Sequence, residues 1–178
     1  TDDATDVISE LTEERQERVF SQIKDSELTD DIKELLKYEE DTACGLMAKE
    51  LIKVNKNWTV MRCVREMRKQ AENVSFVYTI YVVDDNDILV GTLSLKKLLL
   101  TNAKTIISEI NKEDIIMVNA NEDNEEVGNI MNKYDLIVLP VVNHLGQLIG
   151  RITVDDVMEV IKEEAEKAKI SDKFDEII

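Results

Sequence analysis

The sequence is short of several things, and each shortage removes a class of function. It has one histidine, His144, and two cysteines, Cys44 and Cys63, far apart in the chain. No His/Cys constellation with metal-ligand spacing can be assembled from them, and no nucleophile has a histidine base in an apolar setting. Two separated cysteines read as buried free thiols in a reducing compartment rather than as a disulfide framework. The five glycines form no glycine-rich phosphate loop. Together these absences argue against an enzyme. No apolar run approaches the roughly 18 residues of a membrane span, and no signal peptide is visible. The chain starts at Thr1 rather than Met, as expected of a processed chain or a piece of a longer one. Positive charge is scarce as well. Lys and Arg number 22 against 38 Asp and Glu, a net charge of −16 that would repel nucleic-acid phosphates.

What is present supports a folded chain. The 178 residues are 43% hydrophobic, enough for a real core, and 34% charged. Charge is unevenly spread. Residues 1–44 carry 15 acids and 5 bases, residues 45–108 carry 6 and 10, and residues 109–178 carry 17 and 7. Two acidic flanks bracket a mildly basic middle.

The first 37 residues read as helix, with Val7, Ile8, Leu11, Val19 and Ile23 near one stripe. A break at "KDSELTDD" follows, with Thr29 expected to cap a second helix containing Ile32, Leu35 and Leu36. Short amphipathic helices cannot bury their own stripes and must dock on something. From residue 38 the pattern changes. Asp41 is expected to cap a short helical turn, "TACGLM". An extended "ELIKV", a helix "TVMRCVREMRKQ", a β-rich "VSFVYTIYVVDD", a strand "ILVGTLS" and a helix "LKKLLL" come next. The same order then recurs in "DIIMV", "NEEVGNIMNKY", "DLIVLPVV", "LIGRIT" and "VDDVMEVIKEEAEKA". This is an internal repeat. Residues 80–98 align without gaps on 139–157 at an offset of 59, matching Val82, Val83, Leu89, Gly91 and Ser94 to Val141, Val142, Leu148, Gly150 and Thr153. Upstream the offset is 64, so the first copy carries five extra residues around "AENVS".

Each copy ends in G-x-x-[ST], opening its last helix: Gly91-Thr-Leu-Ser94 and Gly150-Arg-Ile-Thr153. With this doubled motif the repeat resembles a pair of CBS domains, a module that binds adenosyl ligands or ions and usually dimerises. The stretches "YEEDTACGLM", "YTIYVVDD", "GTLSLKKLLL", "DNEEVGNIMNKYDLIVLPVV" and "GRITVDDVMEVIKEEA" further resemble the cytosolic region of MgtE-type magnesium channels. The resemblance implies an α+β tandem CBS-domain pair, or Bateman module, behind a short helical segment. It divides the chain into 1–40, a remnant of a helical N domain; 41–104 and 105–162, the two CBS domains; and 163–178, a connecting helix or tail. It also implies a non-enzymatic homodimer on the cytoplasmic face of the membrane, joined to a transmembrane pore domain that this sequence does not contain. Its role would be sensing Mg²⁺. Ions held between carboxylates keep a compact state with the pore shut, and at low Mg²⁺ the acidic surfaces repel and the pore opens.

Mg²⁺ is a hard cation that takes oxygen ligands and keeps several waters, so one or two carboxylates from each of several elements suit it. On a helical wheel Asp155, Asp156, Glu159, Glu163 and Glu166 share an arc of roughly 100°, with Val157, Val160, Ile161 and Ala165 opposite and Glu164 among the apolar positions. An acidic helix of this kind is ordinarily a solvated face, with Glu163–Lys167 pairs of about 0.2–0.5 kcal/mol. The resemblance assigns Mg²⁺ ligation to Asp156, Glu159 and Glu164 and to Asp135 in "KYDL". Asp123 and Glu125 look like peripheral family sites, and equally like charges complementing a helix N-terminus. Where the family carries acids, this chain has Lys167 and Ala168.

The alternative is an adenine-nucleotide sensor. CBS modules place ribose and phosphate at G-x-x-[ST]-x-x-D, which Gly150, Thr153 and Asp156 satisfy. The first copy has Lys97 where the acid belongs, and the resemblance puts ATP at that first-copy acid. A module that only dimerises, with Met61, Met67 and Met131 filling gaps at the interface, is compatible with both readings.

Overall fold

The structure is a computed structural model that describes residues 2–38, 41–74 and 76–162. Three helices come first: α1 (Asp2–Ser9), α2 (Glu13–Gln22) and α3 (Ser26–Leu35). The expected first helix is therefore two, broken after Ser9, and α3 starts three residues before Thr29. Asp25 begins it, because its carboxylate accepts from the Leu28 N–H at 3.2 Å. Thr29 lies inside the helix and turns its hydroxyl back onto the Asp25 carbonyl at 2.9 Å. Of the three helices, α1 and α3 dock, whereas α2 buries no residue. Ile8 and Ile32 are buried, and Leu35 enters the core of the second repeat.

Each repeat is a three-stranded mixed sheet with helices. The first has α4 (Ala43–Leu46), β1 (Ile52–Asn55), α5 (Val60–Gln70), β2 (Ile80–Val83), β3 (Leu89–Leu93) and α6 (Leu95–Leu100). The second has β4 (Val118–Asn119), α7 (Asn124–Lys133), β5 (Val138–Val142), β6 (Leu148–Thr153) and α8, which covers 154–162. Sheet orders are β1-β2-β3 and β4-β5-β6, with the first pair of each parallel and the second antiparallel. The registers repeat too. Val82 faces Gly91 as Val141 faces Gly150, and both hairpins carry a bulge one residue on. The β-rich run before Ile80 is strand only from that residue, since 76–79 make no ladder.

The two repeats are interleaved. The segment leading into the first repeat docks on the second: Thr42 bridges Asp123, the Ala43 N–H donates to the Glu122 carbonyl at 2.7 Å, and Ala43, Cys44, Leu46 and Met47 are buried with Val127, Leu139, Val141 and Ile152. The segment leading into the second repeat docks on the first in the same way. Ile106 bridges Thr59, and Ile107 is buried with Val54, Cys63 and Val82. These are equivalent contacts under the 64-residue offset.

That exchange explains the motif glycines. Ala48 pairs with Arg151 and Lys112 with Thr92, each lead-in lying across the strand that carries the motif. A Cβ on Gly150 would stand 2.6 Å from Met47 Sδ and 3.0 Å from the Ala48 carbonyl, and one on Gly91 would collide with the Asn111 side-chain amide. Glycine is needed because a backbone approaches. Between the sheets, Tyr81, Val83, Leu89, Val142 and Leu148 form a third core, closed by reciprocal Leu89-to-Gly146 and Leu148-to-Asp87 backbone hydrogen bonds.

Candidate functional site

The second motif places its hydroxyl and acid at the start of α8. Thr153 donates to Asp156 Oδ2 twice, from its backbone N–H at 2.6 Å and from its hydroxyl at 2.8 Å. The Asp156 half of a capping box is thus built, with the N3 acid reaching back to the N-cap amide. The first motif builds the other half. Ser94 Oγ accepts from the Lys97 N–H at 3.1 Å, and Lys97 has no carboxylate to return. Thr153 is buried and Asp156 half-buried, so part of this acid's hydrogen-bonding capacity is already used by the fold.

The remaining acids divide. Asp155 and Glu159 are exposed on α8. Glu164 and the rest of the acidic run, with the whole 163–178 segment, lie outside the described residues. Asp123 is the N-cap of α7, its carboxylate accepting from the Glu125 N–H at 2.8 Å, and Glu125 sits in the first turn. Asp41 is no helix cap. Thr42 holds the N-cap position of α4, and the Asp41 carbonyl instead accepts from the Asn124 N–H at 3.2 Å. His144 lies in the exposed β5–β6 turn.

Asp135 is the least comfortable of them. The Asp135 N–H donates to the Asn132 carbonyl and the Leu136 N–H to the Met131 carbonyl at 2.9 Å, which is the Schellman pattern ending α7. Asp135 occupies its left-handed position, with φ +53°. Glycine or asparagine suits that position better, and the carboxylate lies at the negative end of the helix dipole.

Four acids come together around one space. Asp41, Asp123, Glu125 and Asp135 line the rim of an open cavity of about 690 Å³ whose apolar wall includes Val157 and Ile161 of α8. Asp156 and Glu159 are not among its lining residues. Sequence reasoning set Asp41 aside as a cap, and the missed signal was the backbone pairing of 41–44 with 120–124. Among the described residues, no group of three or more histidine, cysteine or acidic side chains is close enough to hold a metal ion. α8 also departs from its expected stripe. Val157 is buried and Val160 packs on the same core, but Ile161 is 50% exposed at the wall of the open cavity.

A second crevice lies at the seam between repeats, lined by Leu51, Thr79, Tyr81, Val138 and Arg151. It offers only about 10 Å³, room for one water and not for a nucleobase. The Arg151 guanidinium lies 5.8 Å from the Tyr78 ring in front of it. Tyr81 Oη is buried there with no hydrogen-bond partner among the described residues, and burial raises its ionisation above the ordinary tyrosine range.

Two interleaved strand–helix–strand–strand–helix repeats, each closed by G-x-x-[ST] at a helix start, define a paired regulatory module. The CBS domain model matches residues 43–102 and 107–163, and the chain belongs to that family. It is an MgtE-type cytosolic region. Magnesium transporter MgtE of Thermus thermophilus is 41% identical over 135 residues, 76% of this chain and 30% of that protein. Its counterpart in Enterococcus faecalis is 37% identical over 140 residues, 79% of this chain and 31% of that protein. The chain thus spans about a third of these relatives. Among solved structures, the soluble part of a magnesium transporter is 35% identical with a TM-score of 0.84, covering 92% of this chain and 64% of that one. The cytosolic domain of the Mg²⁺ channel MgtE in complex with ATP is 36% identical with a TM-score of 0.80, covering 89% and 64%. No helix among the described residues is long and apolar enough to cross a membrane.

Proposed function

We propose that this chain is the cytoplasmic Mg²⁺-sensing region of a magnesium transporter, acting by binding rather than catalysis and gating a covalently attached pore. The observation that carries the reading is the cavity, where Asp41 from the N-terminal side meets Asp123, Glu125 and Asp135 of the second repeat. Two carboxylates about 4 Å apart repel by about 1 kcal/mol in water and about 4 kcal/mol at an effective dielectric of 20. Repulsion of that kind would oppose any compact state that draws these acids closer, and a divalent cation would offset it. With no three ligands clustered, the ion would keep most of its waters and be held by one or two carboxylates at a time.

The functional unit in this proposal is a homodimer with CBS domains at 41–104 and 105–162, a helical N-domain remnant at 1–40 and a connector from 163. Exposed apolar side chains on both repeats support an interface between copies: Met61, Leu99 and Leu100 on the first, Tyr134, Met158 and Ile161 on the second. Asp156, Glu159 and Glu164 belong, in this reading, to the face that meets the partner or the connector.

Adenine-nucleotide sensing is the second reading, favoured by the ATP-bound relative and by the intact Gly150–Thr153–Asp156 motif. Against it stand Lys97 and the closed seam crevice. Separate calorimetric titrations with MgCl₂ and with ATP decide between them. The sensing reading expects millimolar MgCl₂ to bind and to make the particle more compact by small-angle scattering. Tight ATP binding with no response to MgCl₂ would replace it with the nucleotide reading.

A further inference from the structure

We infer that Glu34 and Lys49 are positioning residues for the acidic cavity, forming a latch that fixes α3 on the second repeat and so holds Asp41 at the rim. This rests on the cation-sensing reading for its consequence, but not for its geometry. Lys49 Nζ stands 2.8 Å from Glu34 Oε1, across 15 residues of sequence. The Lys49 side chain is 14% exposed, far less than the cations of the other described pairs, such as Arg18 at 73% and Lys69 at 68%. Its Glu34 partner is 43% exposed, so the cation is the enclosed member, and on that side the pair is less screened than a fully exposed one. The Tyr38 hydroxyl donates to the same Glu34 oxygen at 3.4 Å, so a second side chain supports the pair.

The latch is placed to act on the cavity. Leu35, next to Glu34, is buried in the second repeat's core. The chain then winds through Leu36, Lys37 and Tyr38, whose N–H groups donate back to Ile32, Glu34 and Leu35. A few residues on, the Asp41 carbonyl takes the Asn124 N–H and Thr42 pairs with Asp123. Lys49 follows Ala48, which is paired with Arg151 of β6. The ion pair therefore closes a ring from α3 through the cavity rim and α4 back to the sheet. Opening it removes one of the ties that hold α3, beside the packing of Leu35 and Tyr38 and the 41–44 pairing.

The test uses the full chain with Lys49→Met, Glu34→Gln and the conservative Lys49→Arg, read by amide hydrogen exchange and by MgCl₂ titration. Without Mg²⁺, Lys49→Met and Glu34→Gln should speed exchange in residues 26–38 by about tenfold while β5 and β6 keep their protection. The MgCl₂ midpoint should rise about threefold or more, and Lys49→Arg should restore both. Unchanged exchange in 26–38 overturns the latch. Faster exchange with an unmoved MgCl₂ midpoint overturns its link to the cavity. If the unaltered chain ignores MgCl₂, the sensing reading and that link fail together, while the exchange data still decide whether the pair holds α3.

Discussion

Replacing Asp135 by glycine separates a sensing carboxylate from a structural one, because the two roles predict opposite signs. Asp135 is exposed, left-handed at φ +53°, and ends α7 through backbone groups alone. Its side chain contributes nothing to the Schellman hydrogen bonds, which run from the N–H groups of Asp135 and Leu136. Glycine removes a left-handed penalty of at most about 1–2 kcal/mol, and its looser unfolded chain returns about 0.5–1 kcal/mol of that. Taking a negative charge off the negative end of the dipole gains about 0.3–1 kcal/mol. The net expectation is about 1 kcal/mol of stabilisation, or about 2–4 °C in Tm for a chain this long. Differential scanning calorimetry in EDTA should therefore show Asp135→Gly melting above the unaltered chain. In 10 mM MgCl₂ the order should narrow or reverse, because the variant loses part of the Mg²⁺-dependent rise. Asp135→Asn, which tolerates the same backbone and loses only the charge, should fall between them in EDTA. A glycine variant that melts lower in EDTA refutes the strain argument. One that keeps the full MgCl₂ response removes Asp135 from the site.

Three further outcomes follow from the geometry. Gly150→Ala drives a methyl against Met47 Sδ and the Ala48 carbonyl and should cost about 2–4 kcal/mol in urea unfolding, from overpacking plus the weakened Ala48–Arg151 pair; a cost under about 0.5 kcal/mol would show that the lead-in is loosely held. Asp156→Ala should cost about 1 kcal/mol even in EDTA, since it dismantles the hydrogen bonds from Thr153 at the start of α8, and equal melting with and without the acid would deny it that capping role. Burial pushes the Cys44 and Cys63 thiols up to about 11 from 9.0, so both should resist a thiol-disulfide reagent at pH 8 until urea unfolds the chain. Unfolded thiols ionise first, so this contribution to stability is intact below pH 9 and is lost as pH rises towards 11; stability that rises over that window would contradict the burial.

The repeat, its strands and its motif were legible because they depend on local pattern. The continuous apolar runs "IYVV" and "LPVV", the hydroxyl before each last helix, and the 59-residue match are all properties of short stretches. The interleaving was not legible, because a buried lead-in such as "TACGLM" carries the same apolar signal whichever repeat it packs on. Thr29 misled for a related reason. A hydroxyl before an apolar run resembles a cap, yet Asp25 reaches the helix end first and Thr29 satisfies itself on a carbonyl inside the helix. Asp41 was set aside because its relevance comes from Asn124 and Asp123, more than eighty positions away in the chain. The left-handed geometry of Asp135 had a faint signal, an acid just past the end of an amphipathic helix where glycine or asparagine is the usual choice.

The duplicated fold supplies two copies of every surface, and the side chains give those copies opposite signs. Under the repeat offsets, Arg62 on α5 corresponds to Glu126 on α7, while Lys96 and Lys97 on α6 correspond to Asp155 and Asp156 on α8. These side chains are exposed except Asp156, which is half-buried, and the apolar neighbours Leu99 and Met158 are equivalent and exposed as well. Backbone geometry cannot tell the two faces apart, so a ligand must be selected by charge. On the proposed sensing reading, a divalent cation gains at this face only in the second repeat. At the first it meets Arg62, Lys96 and Lys97, and their repulsion is reinforced by the missing acid of the motif. The same inversion places Asp41 and the N-terminal helices beside the acidic copy, through the lead-in that crosses to it. Exchange of lead-ins is therefore more than a packing device in the proposed mechanism. It carries the segment that must move into contact with the repeat whose charge gives it a reason to move.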